Sequence, residues 1–85
     1  MHDRLMSLAC LQLARGLGLV RRISLVRLDH GRRPVWGLKI EGPYFTRLLR
    51  AGIAPLWPHT RAQPARFISR AQARGFARRW GLPLR

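Results

Sequence analysis

The chain is predicted to fold as an α+β domain, with helices packed on a small antiparallel sheet or hairpin of two to three strands. Three features predict this. Helix-type apolar spacing occurs near both ends, two β-type runs flank a central turn cluster, and Gly or Pro marks the joins. The expected order is α-β-β-α-β-α within one small basic domain, residues 1–85. Apolar residues make up 47% of the chain, which is enough for one modest core and too much for a disordered basic tail.

The first helix is predicted over Asp3 to Arg15. Asp3 serves as its cap, Leu5, Leu8, Ala9, Leu11 and Leu13 form its apolar surface, and Gly16 and Gly18 end it. Leu19 to Leu28 reads as a strand with apolar residues on both faces, since Ile23 and Leu25 alternate with Val26 and Leu28. Such a strand is expected to be covered on two sides, by a helix and by a partner subunit. Asp29-His30-Gly31-Arg32-Arg33-Pro34 is a turn cluster, and Val35 to Glu41 returns as a second strand with Trp36, Leu38 and Ile40 on one face.

Gly42-Pro43 is expected to open a short helix with Phe45, Leu48 and Leu49 inward and Arg47 and Arg50 outward. Ile53 to Gln63 reads as a packed loop holding Pro55, Trp57 and Pro58, and Ala65 to Ile68 as a short third strand. Ser69 caps the last helix, Arg70 to Trp80, with Gly81 as its stop. Cys10, the only cysteine, sits in an apolar run and is expected to be a buried thiol. The same run lacks a cleavage pattern, and no stretch approaches the ~20 apolar residues of a bilayer span, so a cytoplasmic setting is expected.

Charge is the strongest functional signal. Seventeen basic residues oppose three acidic ones, for a formal net charge of +14, and Lys39 is the only lysine. A field of that sign attracts polyanions and repels copies of the same chain. The expected partners are nucleic acid, a ribonucleoprotein or an acidic protein surface, with no membrane and no metal, in a monomer or homodimer. The preference for Arg has two readings. The guanidinium fork suits phosphate and guanine edges, and a GC-rich genome also inflates Arg at the expense of Lys.

Within that background the last helix is the leading candidate. Arg70, Arg74 and Arg78 recur every fourth residue and drift only ~40° per step, forming a ridge beside the stripe Ala73, Phe76, Ala77 and Trp80. No acid interrupts it, so the like charges repel unless a polyanion sits on them. Arg66 and Arg79 are expected to extend the ridge; a plain solvated basic face is the alternative reading. Arg32 and Arg33, with His30, form a second candidate at the hairpin tip, where an ordinary exposed turn is the alternative. Arg47 and Arg50 join the candidate set if one contiguous patch includes them. Trp36, Phe45, Phe67, Phe76 and Trp80 read as core, Tyr44 and Trp57 are less constrained, and Trp57 is the one considered for stacking or partner contact, with core packing as the favoured alternative.

Catalysis has little to stand on. Asp3, Asp29 and Glu41 are not spaced for acid–base work, and His2, His30 and His59 do not share a helical face, so neither an enzyme nor a metal or cofactor site is expected. The expected function is therefore non-enzymatic binding of nucleic acid or a nucleoprotein through the Arg ridge and hairpin tip. Two alternatives remain open. One is a phage-type accessory protein, an anti-CRISPR-like inhibitor engaging a host protein or ribonucleoprotein. The other is a small basic ribonuclease toxin using His59 or His30.

Overall fold

Among the described residues, two helices and a four-stranded mixed sheet follow in the order β1 (Leu5–Met6), α1 (Leu8–Gly16), β2 (Arg22–His30), β3 (Arg33–Glu41), β4 (Thr46–Leu49) and α2 (Arg70–Arg79). The computed structural model describes residues 5–30, 33–51 and 63–85, leaving out the side chains of Asp29, His30 and Arg33. The α+β class is as expected. The sheet order is β1-β4-β3-β2, antiparallel except for the short parallel β1–β4 pair.

The central hairpin forms as the alternation requires. β2 and β3 pair antiparallel from Arg22↔Glu41 to His30↔Arg33. Ile23, Leu38 and Ile40 point into the core with Leu49 of β4 and Leu11 of α1, all essentially free of solvent contact. Each such side chain contributes about 1.5–3 kcal/mol through burial. The two-faced character of β2 is also present. Val26 and Leu28 are half-buried on the outer face, where Leu28 lies over Gly37 so closely that a Cβ there would meet its Cδ1 at 2.7 Å.

Three predicted elements are corrected. The first helix starts at Leu8 rather than Asp3, because Ser7, in extended conformation, caps it by accepting a hydrogen bond from the Cys10 amide at 3.1 Å. Leu5 and Met6 are thereby freed to pair beside β4, and the predicted Asp3 cap lies outside the described residues.

The helix predicted after Pro43 is strand β4. A four-residue helix recovers little for its nucleation cost, whereas the same residues complete hydrogen bonds along the otherwise open edge of β3. A tight turn directs it there: the Gly42 amide donates to the Phe45 carbonyl at 2.9 Å. A side chain at Gly42 would collide with the Phe45 ring and stand 2.5 Å from the Leu19 carbonyl oxygen.

The third strand predicted at Ala65 to Ile68 is reduced to isolated bridges. Phe67 exchanges both backbone bonds with Trp36, each at 2.8 Å, and Pro64 bridges Arg50.

α2 forms where expected, with the Ser69 hydroxyl accepting from the Gln72 amide at 3.1 Å and Gly81 leaving the helix at φ 67°. Its buried residues are Ala73 and Ala77. These small side chains let the helix backbone lie close against β3, beneath Leu38 and Ile40. Three side chains expected inside are outside: Cys10 is exposed, Leu13 is 65% exposed and Trp80 is 44% exposed. Each helix buries only a narrow face, Leu11 and Ala14 on α1 and Ala73 and Ala77 on α2, narrower than its apolar stripe predicts. Among the described residues no helix is long and apolar enough to cross a membrane.

Candidate polyanion-binding surface

α2 divides its arginines between two flanks. Arg70, Arg74 and Arg78 are exposed along one side of the buried Ala73–Ala77 face. The Arg70 guanidinium lies over the Trp36 ring, 4.6 Å from its centroid. This contact fixes the first charge of the row and leaves its edge free to donate. Among the described residues no acceptor binds the side chains of Arg74 or Arg78.

Arg66 and Arg79 do not continue that row. They stand on the other flank, around a cleft of about 420 Å³ also lined by Gln72, Gly75 and Phe76. At ~100° per residue, Arg79 is turned well away from Arg78 despite adjoining it. Arg66 is steadied by donating to Gln63 Oε1 at 2.9 Å.

Arg47 and Arg50 sit on and just after β4, not on a helix. Arg47 is registered opposite Ile40, and its guanidinium lies 5.6 Å from the Phe45 ring centroid. Arg50 lines a second cleft, shared with Arg66, and its buried Nε has no hydrogen-bond partner among the described residues. Arg33 belongs to β3, its side chain outside the description, and Arg32, Trp57 and His59 lie outside the described residues.

A third group was not anticipated from sequence. Arg15, Arg21, Arg22 and Arg85 surround a concavity of about 390 Å³. The last residues create it by pairing beside β2: Leu84 bridges Ile23, and the Arg85 amide donates to the Ile23 carbonyl at 3.0 Å. Arg15 Nη1 donates to the Gly81 carbonyl at 2.9 Å, while the Gly81 amide donates to the Arg78 carbonyl at 3.2 Å. The corner therefore adjoins the C-terminal turn of α2. Its only sequence signal is the Arg21–Arg22 doublet, because the rest is assembled by contacts distant in sequence.

The one acid whose side chain is described, Glu41, lies elsewhere. Glu41 accepts from Arg22 Nη2 at 3.0 and 3.2 Å and pairs with Lys39 Nζ at 3.1 Å. The hydrogen bond from Arg22, and then that from Lys39, holds its carboxyl below the ordinary glutamate range. With Ile40 buried inward, alternation puts Glu41 on the outer face of the sheet, away from α2. Among the described residues no group of three His, Cys, Asp or Glu side chains could hold a metal ion.

Fold and site together define a small basic α+β domain with an arginine row along α2 and a separate arginine corner beside the C-terminal turn of that helix. No protein-family model, curated protein or solved structure matches the chain.

Proposed function

We propose that this protein binds nucleic acid through its arginines and acts by binding, without catalysing a reaction. The observation that carries the reading is the pairing pattern of the charges. Arg74 and Arg78 are exposed in a row without acidic partners among the described residues, and the first turn of α2 contains no acid. Glu41, meanwhile, is committed to Arg22 and Lys39 on the far face of the sheet. A row spaced at one helical turn suits a phosphate backbone running along the helix, with Arg15 and Arg85 beside the C-terminal turn of α2 as further contacts. With no base-reading motif on α2, sequence preference is expected to be weak. The exposed lone thiol of Cys10 is in keeping with a reducing, cytoplasmic setting.

The test is binding of the intact chain to labelled single-stranded and duplex oligonucleotides across a salt series. Nucleic-acid binding predicts a log-linear loss of affinity with salt, together with a rise in melting temperature on adding oligonucleotide, because the ligand binds the native state. Affinity confined to a protein target, with modest salt dependence, would instead favour an inhibitor or adaptor that uses the same arginines on an acidic surface.

A further inference from the structure

The second cleft, about 670 Å³, opens between the start of α1, the end of β4, the backbone around Phe67 and the Phe76–Trp80 flank of α2. Its volume is that of a small-molecule site. Two features of its wall point to one class of occupant. The first is a run of three rings. Phe67 and Phe76 have centroids 5.3 Å apart, and Phe76 and Trp80 lie 6.4 Å apart with planes tilted by 49°. At that tilt the rings do not stack face to face, and Trp80 as a residue remains 44% exposed at the rim. The second is cationic. Arg50 and Arg66 line the same cleft, and Arg50 keeps a buried Nε without an acceptor among the described residues. A planar group for the rings, joined to an anion for the guanidiniums, is the composition of a nucleotide.

We propose that this cleft takes one unpaired nucleotide of a single strand, its base on Trp80 and Phe76 and its phosphate on Arg66 and Arg50. The protein would then bind single-stranded in preference to double-stranded nucleic acid. This rests on the reading of the arginines as phosphate contacts and adds to it a strand preference. Arg79, on the outer side of Phe76 with Arg66, stands where the neighbouring phosphate of the same strand would pass. A duplex cannot present a base to the rings without breaking a pair.

Trp80→Leu keeps apolar bulk while removing the stacking face, Trp80→Phe keeps a face, and Arg66→Gln removes the anion contact. Each is titrated with oligo(dT), oligo(U) and a mixed-sequence duplex at one salt concentration, after its melting temperature has been matched to wild type. The expected result is about a tenfold loss of single-strand affinity for Trp80→Leu, within the range associated with one stacked base. Trp80→Phe stays within about twofold of wild type, and Arg66→Gln weakens both single strands. Duplex binding, carried by the opposite flank of α2, changes little. Comparing oligo(dT) with oligo(U) tells whether the sugar matters. Equal losses on single strand and duplex, or an unaltered single-strand affinity in Trp80→Leu, overturn the cleft proposal alone. Absence of binding to any of the three probes by wild type overturns the nucleic-acid reading and this proposal with it.

Discussion

Replacing Arg74 and Arg78 together by Gln isolates the phosphate-binding role of α2 from its part in the fold. Both side chains are exposed, and neither has an acceptor among the described residues. Arg70 is left in place because its guanidinium packs on Trp36, a contact whose loss would cost about 0.5–1 kcal/mol of stability by itself. Each phosphate neutralised contributes about −0.7 to the slope of log affinity against log salt on a single strand, and about −0.9 on a duplex. Two lost contacts therefore make the slope shallower by about 1.4 or about 1.8. Over a fourfold rise in salt, wild-type affinity should fall about 7-fold more than that of the variant on a single strand, and about 12-fold more on a duplex. The fold should not suffer. Like charges four apart on a helix repel by about 0.2–0.5 kcal/mol, so the variant should melt at the wild-type temperature or slightly above it. Fluorescence anisotropy over a salt series, alongside thermal melts, measures both quantities. An unchanged slope in a normally folded variant would refute the assignment of the row to phosphate contacts.

Gly42→Ala should destabilise by about 1–3 kcal/mol, since its Cβ would meet a backbone carbonyl and the Phe45 ring; Gly37→Ala should cost less, because Leu28 can swing aside, and chemical denaturation ranks the two. Ser69→Ala should cost about 1 kcal/mol by removing the α2 cap, lowering the melting temperature by about 4–8 °C. Glu41 has its folded pKa lowered, so its stabilisation is present above the unfolded pKa of about 4.3 and lost as pH falls through the lower folded value. Thermal melts should accordingly find Glu41→Gln less stable than wild type near about pH 7, with the difference closing below about pH 4.

What was legible in the sequence followed from local chemistry. Ile23, Leu38 and Ile40 declared the inner face of the hairpin by alternation, and Ser69 and Gly81 bounded α2. What was missed depended on contacts distant in sequence. The segment after Gly42–Pro43 carries helix-like spacing at Phe45, Leu48 and Leu49, but the open edge of β3 claims it as a strand. Leu5 and Met6 look helical until β4 exists to pair with them. The same limit applied to the site. The row Arg70, Arg74 and Arg78 follows from helical geometry alone, whereas the corner of Arg15, Arg21 and Arg85 needs the C-terminal residues returned to β2. Assigning Arg66 and Arg79 to the row failed because charge was extrapolated along the sequence and not around the helix.

Arginine Nε–Hε resonances, followed by NMR while a short duplex oligonucleotide is titrated in, test the central claim most directly. Arg70, Arg74 and Arg78 should shift together and saturably with Arg15 and Arg85, while Arg22, held by Glu41, stays in place. Shifts spread evenly over all the arginines, Arg22 included, or no shifts at all, would contradict a defined nucleic-acid surface and leave the +14 charge as background.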